Sequence, residues 1–172
     1  MKTGVAESDR RDEAMAQAKP GDSNGERSLL LFRIAGRQFG VELGQVEQIL
    51  DAQPITPTPR RPGFVEGILE YRGRFLAVAS LRKRLGVTTP NPEHPALLVL
   101  REVGPDGMVA FLVDQVLHVI RIPSDGILAP PPRVFGIRAE YIRGIGNAGG
   151  HPMVWLDVAK IVASDEAITL LV

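Results

Sequence analysis

The residues best equipped for chemistry are scattered. The histidines His94, His118 and His151 come first, because imidazole serves both as a metal ligand and as a general base. His118 sits in an alternating apolar segment, and His94 and His151 each precede a proline. None stands at metal-ligand spacing to another His, Asp or Glu. The chain has 0 cysteines, which excludes disulfides, thiolate metal sites and thiol catalysis, and it fits a reducing compartment. Neither a Walker loop nor a nucleophile elbow set between a strand and a helix is expected. Gly144-Ile-Gly146-Asn-Ala-Gly149 has the Gly-x-Gly-x-x-Gly form of a dinucleotide loop. Such a loop needs a following helix whose N-terminus holds the pyrophosphate. Gly150-His-Pro152 and the strand-like Met-Val-Trp155 follow instead, so Asn147–Gly150 reads as a hairpin turn. The prediction is a protein without catalysis, cofactor or metal.

Binding residues are harder to dismiss. Pro54, Pro57, Pro59 and Pro62 could form a Pro-x-x-Pro ligand, or a stiff strap between strands, since proline is already restricted in the unfolded chain. Arg82-Lys83-Arg84 is a local basic cluster, read as a solvated face with anion or partner contact as the alternative. Arg72 precedes Gly73 in a connection between two apolar strands, where a guanidinium can make forked hydrogen bonds to a partner. The competing role for Arg72 is an ion pair with Glu47 or Glu70. Asp114, directly after an apolar strand, reads as a turn or buried hydrogen-bonding residue.

The composition bounds the setting for these residues. In 172 residues, 44% are hydrophobic and 23% charged, as in a globular domain. Lys+Arg and Asp+Glu are 20 each, so no net charge draws the chain to nucleic acid or anionic lipid. Apolar runs such as Ala96–Leu100 and Val109–Val113 fall far short of the roughly 20 residues that a membrane helix needs. No direct membrane insertion is expected. Residues 1–27 lack aromatics and are rich in charge, and they read as a disordered tail, with a short partner-binding helix as the alternative.

From Ser28 onward the pattern is β. Leu30, Phe32 and Ile34 alternate, Ala35-Gly36-Arg37 turns the chain, and Phe39, Val41 and Leu43 alternate back. Further strands are predicted at 68–70, 74–79, 96–103, 108–113, 117–122, 141–145 and 153–156. Helical signals are short: Leu81–Leu85 before Gly86, Val158–Val162, and a weaker helix over 165–172. The expected class is all-β.

The two halves also repeat. Phe64-Val-Glu-Gly67-Ile68 matches Tyr141-Ile-Arg-Gly144-Ile145 at an offset of 77 residues, which also aligns Ser80 with Asp157. Gln45-Val46 matches Gln115-Val116 at an offset of 70, which places a seven-residue insertion between Val116 and Tyr141. Two small barrels sharing an interface follow, because neither is large enough to be comfortable alone. Gly67 and Gly144 hold equivalent positions and read as structural, through a bulge or close backbone approach.

These pieces together resemble the CheW family, adaptors that couple chemoreceptors to the histidine kinase CheA. The resemblance runs from about Leu29 to Val162. It is carried by Leu31-Phe32 with Phe39-Gly40-Val41, Val46-Glu47-Gln48-Ile49, Ile55-Thr-Pro57 with Pro59, and Phe64, Gly67-Ile68 and Tyr71-Arg72-Gly73-Arg74. Val113-Asp114-x-Val116, Tyr141-Ile-x-Gly144-Ile145 and Leu156-Asp157 complete it. The chain has Gln48, Glu70, Ala77 and Ser80 where the family often has Glu, Asn, Pro and Asp.

The resemblance implies two intertwined five-stranded SH3-like barrels, divided roughly as 28–92 and 93–172. It implies a cytoplasmic adaptor recruited to membrane receptor arrays, with the CheA regulatory domain and the chemoreceptor cytoplasmic tip as partners. It places partner contact at Val46, Glu47, Gln48, Arg72 and Gly73, and a hydrophobic receptor groove near the barrel junction. Gly67, Gly144, Asp114 and Asp157 are the structural set. A divergent adaptor of a non-motility pathway, a competitor of array assembly, and a small-ligand-binding barrel remain as alternatives.

Overall fold

The computed structural model describes residues 25–59, 63–101, 103 and 107–163. The chain runs through β1 (Glu26–Ile34), β2 (Arg37–Glu42), β3 (Val46–Asp51), β4 (Val65–Tyr71), β5 (Arg74–Ser80) and α1 (Leu81–Arg84). It continues through β6 (Ala96–Arg101), β7 (Met108–Val113), β8 (Gln115–Pro123), β9 (Arg133–Val134), β10 (Ile137–Arg138), β11 (Ile142–Ala148), β12 (His151–Leu156) and α2 (Val158–Ala163). The tail reading is corrected at its end, since Glu26 and Arg27 already pair with Pro123 and Ile122 in β1. Residues 1–24 and the helix expected over 165–172 lie outside the described residues.

Two five-stranded sheets form, ordered β11-β12-β2-β1-β8 and β3-β6-β7-β5-β4, with β9-β10 as a separate small hairpin. The sheets do not follow the halves 28–92 and 93–172. The sequence repeat is hairpin, third strand, strap, hairpin and helix, and each sheet joins the leading hairpin of one repeat to the remaining strands of the other. Thus β1-β2 are completed by β8, β11 and β12, and β6-β7 by β3, β4 and β5. Each hairpin is joined on one side by a parallel pair, β12 on β2 and β5 on β7, and on the other by an antiparallel pair, β8 on β1 and β3 on β6.

This exchange buries the central strands on both faces. Leu29 and Leu31 of β1 pack with Met153 and Trp155 inside the first barrel. Leu30, Phe32 and Ile34 pack the other way, against Leu98, Leu100 and Phe111 of the second sheet. In β6, Leu97 and Val99 fill the second barrel with Leu76 and Val78. The continuous runs at 29–32 and 97–100 are the sequence mark of strands covered on both sides. The Phe32 and Phe39 rings, opposite each other in register, stack at 5.9 Å.

Two-residue turns with both φ angles positive close four hairpins: Ala35-Gly36, Arg72-Gly73, Phe135-Gly136 and Gly149-Gly150. Positive φ at both positions gives the turn whose twist matches paired strands. The Gly-x-Gly-x-x-Gly string therefore lies on β11 and the turn into β12. β6 and β7 pair antiparallel, although residues 104–106 of their connection are outside the described set. β3 and the β9-β10 hairpin escape the periodicity reading, because β3 is only half-buried and the hairpin strands have two residues each.

The repeat is visible in the hydrogen bonds. Ser80 N–H donates to Phe64 O at 2.7 Å, and Asp157 N–H to Tyr141 O at 2.9 Å. The Ser80 hydroxyl accepts from Lys83 N–H, and the Asp157 carboxylate from Lys160 N–H, so each starts the helix that follows. The Pro-rich segments are straps: Thr56 bridges to Ile68, and Leu128 to Ile145. Each crosses beside the repeat glycine, where β4 and β11 both slip register.

At Gly67, with φ 150°, a Cβ would collide with the backbone of Thr56 and Pro57. At Gly144 it would meet mainly the Ile127 side chain, which can turn away. Gly67→Ala is expected to destabilise by about 3 kcal/mol or more, and Gly144→Ala by less, since backbone cannot yield as a side chain does. Urea unfolding of both variants checks the order; equal losses would contradict the strap-crossing account.

Candidate functional site

The residues singled out from the sequence fall into two groups. The first lies at the β4-β5 turn and the start of β3. Arg72 occupies the left-handed region at φ 49°, and Gly73 follows at 75°. The Arg72 side chain is 68% exposed and reaches back over β3. Its Nη1 stands 3.7 Å from Glu47 Oε1, its Nη2 donates to Gln48 Oε1 at 3.3 Å, and its Cζ lies 5.1 Å from the Tyr71 ring centre. Arg101, which sequence reasoning missed, holds the other side of Glu47 at 2.8 Å and donates to Val46 O at 3.1 Å. One cluster thus gathers Val46, Glu47, Gln48, Arg72 and Gly73, all five expected contact residues.

Of the two pairings weighed for Arg72, the structure forms the one with Glu47. Exposed ion pairs contribute only about 0–1 kcal/mol, so this one does not explain the arginine by stability. Moreover, the offset of 77 residues aligns Arg72-Gly73 with Gly149-Gly150. Glycine takes that backbone conformation without strain, and arginine does not. The same hairpin carries Phe75, 70% exposed, an apolar ring that the alternation of β5 turns outward.

The second group joins the barrels. The sequence reads Arg82 and Arg84 with Lys83 as a solvated basic face, and the structure corrects this. Lys83 is exposed and pairs with Glu66 at 2.8 Å, but Arg82 is 7% and Arg84 5% exposed. Arg82 forms a close ion pair with Asp114 and donates to Thr89 O at 3.1 Å. Asp114 also accepts from Ala35 N–H at 2.9 Å, tying the β1-β2 turn to the same carboxylate. Arg84 donates from Nε to Ile161 O at 3.1 Å, and its Cζ lies 4.5 Å from the Phe64 ring centre. Asp157, besides starting α2, faces Arg143 Nε at 3.7 Å. Nothing in the local sequence marked the two arginines as buried, because their partners are 32 and 77 residues away.

A groove of about 400 Å³ also lies at the junction of the barrels. Asp51, Ala52, His94, Pro95, Ala96, Gln115 and Val116 line it, so it is more polar than the hydrophobic groove expected. Gly21-Asp-Ser-Asn-Gly25 has the Gly-x-Ser-x-Gly form, but residues 21–24 are outside the described set and Gly25 leads directly into β1. No helix among the described residues is long and apolar enough to cross a membrane.

The model of the CheW-like domain matches residues 28–166. The chain belongs to the CheW-like domain family. Among its relatives, the chemotaxis protein CheW of Thermotoga maritima is 31% identical over 82% of this chain and 91% of its own. Protein FrzA of Myxococcus xanthus is 34% identical over 79% of this chain and 81% of its own. The crystal structure of the scaffolding protein TtCheW from Thermoanaerobacter tengcongensis shares the fold, with a TM-score of 0.74, 22% identity and coverage of 87% of this chain and 92% of that one. In this CheW-like domain the barrel-joining group is internal, and the Arg72 cluster is open to solvent.

Truncating Arg82 leaves the half-buried Asp114 carboxylate beside the junction without its cation. Arg82→Ala should cost about 3 kcal/mol, as for other broken buried pairs. The double variant Arg82→Ala/Asp114→Asn should cost at least about 1 kcal/mol less than the two single losses added together. Chemical denaturation of the four proteins measures this, and strictly additive losses would remove the pair from the account.

Proposed function

We propose that this chain is a non-enzymatic chemosensory adaptor that couples chemoreceptors to a CheA-type histidine kinase, with the Arg72 cluster in its partner-binding face. The observation that carries the site assignment is the exposed, left-handed Arg72 at a position where the internal repeat has glycine. A strained residue that contributes little to the fold is retained for what it contacts. The fork of Arg72 suits carboxylates or carbonyls at an interface, and Phe75 adds a ring that partner contact would cover. Membership of the CheW-like family supports the adaptor role.

Adaptor work requires two faces and no chemistry. In this reading one face takes the receptor tip and the other the regulatory domain of the kinase, itself similar to CheW. Two different patches on one unit give heterologous contacts that close into rings. The setting is the cytoplasm, next to membrane receptor arrays. A divergent chemosensory pathway stays beside this reading because Gln48, inside the cluster, stands where the family often has Glu.

Arg72→Gly separates binding from folding, because glycine relaxes the turn and an exposed ion pair is lost at little cost. Stability should stay within about 0.5 kcal/mol of the parent. Affinity for the CheA regulatory domain or the receptor tip from the same cell should fall at least about tenfold, or about 1.4 kcal/mol. Calorimetric titration of each partner, followed by a thermal melt of the free proteins, provides both numbers. Unchanged affinity for both partners would retire the site, and a parent protein that binds neither would retire the adaptor reading.

A further inference from the structure

The charges around Arg72 do not balance. Among the described residues, Glu47 is the one carboxylate in ion-pair contact with Arg72 or Arg101, and the two guanidiniums share it unequally. Arg101 Nη2 holds Glu47 Oε2 at 2.8 Å, whereas Arg72 Nη1 stays 3.7 Å from Glu47 Oε1. Two cations thus stand at one anion, and both are open to solvent. The exposed carboxylate of Glu70, on the same hairpin as Arg72, lies opposite Phe75 in register and forms no ion pair among the described residues.

Gln48 is the third member of the cluster, and it adds no charge. Successive side chains of a strand point to opposite faces, so one guanidinium does not ordinarily meet both Glu47 and Gln48. The register of β3 on β6 slips between Val46 and Gln48, and that bulge re-aims the side chains so that both reach Arg72. The Gln48 Oε1 accepts from Arg72 Nη2 at 3.3 Å. A guanidinium has only donors, so it takes the oxygen of the amide. The Nε2 group of Gln48 then keeps two N–H donors that have no partner among the described residues. Gln48 is half-buried, so these donors sit beside the guanidinium rather than on a freely moving side chain.

We propose that this cluster takes an acidic side chain of the protein partner, an Asp or Glu carboxylate seated on Arg72 and Gln48, and that Gln48 selects for it. The inference rests on the Arg72 face being a partner face, and it names what sits there. A carboxylate has two accepting oxygens; the Arg72 fork and the Gln48 amide both have N–H groups to give, and the surplus positive charge strengthens those bonds. Glutamate at position 48 reverses every one of these terms. It takes up the charge of Arg72, offers no donor, and repels the incoming carboxylate. Because the family often has Glu there, the same choice separates the partners of this chain from those of adaptors with Glu, by repulsion as well as attraction.

The test titrates the full chain calorimetrically with the CheA regulatory domain and with the receptor tip from the same cell, at low and at high salt. For a partner whose binding Arg72→Gly weakens, Gln48→Glu should also weaken binding, at least about tenfold at low salt and clearly less at high salt, where the repulsion is screened. The melting temperature of the free variant should match that of the parent. If Gln48→Glu melts lower, Gln48→Met decides; it removes the donors without adding charge and should weaken binding about threefold. Equal or tighter binding by Gln48→Glu, or a loss that is the same at both salts, overturns the inference while a loss in Arg72→Gly leaves the partner face standing. Undiminished binding by Gln48→Met, where that variant decides, does the same. If Arg72→Gly and Gln48→Glu both bind like the parent, or the parent binds neither partner, the face itself fails and the inference with it.

Discussion

The central strands β1 and β6 are buried on both faces, and the rest of the structure follows from that. A small barrel can fill its interior from one face of a sheet. Here the other face is also apolar, as Leu30, Phe32 and Ile34 in β1 and Leu98 and Leu100 in β6 show, so the sheets must close on each other. The exchange of hairpins between the repeats makes the closure topological as well as hydrophobic, because neither barrel contains a complete repeat. The helix-borne arginines then fasten it: Arg82 reaches the β7-β8 junction, and Arg84 reaches the Ile161 carbonyl of α2. With the interior committed in this way, function is left to turns, straps and rims.

The internal repeat separates the two kinds of residue. What both repeats keep is scaffold: the glycine under the strap, the side chain that starts the short helix, and the backbone bonds from Ser80 and Asp157. What only one keeps calls for a reason outside the fold. Arg72 stands where the other copy has Gly149, Gln48 stands where the other has His118, and the β9-β10 hairpin has no opposite number. The departures from the family pattern fit this division. Ser80 performs the same capping as Asp157, so its replacement of aspartate leaves the helix start intact. Gln48 accepts from Arg72 as a neutral amide where glutamate would pair as a charge, which leaves the guanidinium less fully neutralised. Glu70 and Ala77 are both exposed and alter only the surface of the β4-β5 hairpin.

Much of this was legible in the sequence, for local reasons. Hairpins announce themselves by alternation and glycine, and an offset of 77 residues reveals the repeat without any structure. The contact cluster was legible because the family pattern brings Val46–Gln48 and Arg72-Gly73 into one list of residues. The non-local part was not. Arg82-Lys83-Arg84 looks like three equivalent cations, and only the fold shows that two are buried and one is not. Arg101 joins the Glu47 cluster from a strand end that carries no motif. The division into sheets was hidden as well, since a repeat in sequence does not show which copy completes which sheet.

In the proposed adaptor role, the turn at Arg72 and the start of β3 form a partner face, while the barrel junction does not change on binding. Amide hydrogen exchange of the full chain, with and without the CheA regulatory domain and then the receptor tip, tests it most directly. With at least one partner, the account predicts slower exchange at residues 46–48 and 71–75, and unchanged exchange in the buried strands around Leu30 and Leu98. Protection by both partners confined to other surfaces, with residues 46–48 and 71–75 unaffected, would contradict it.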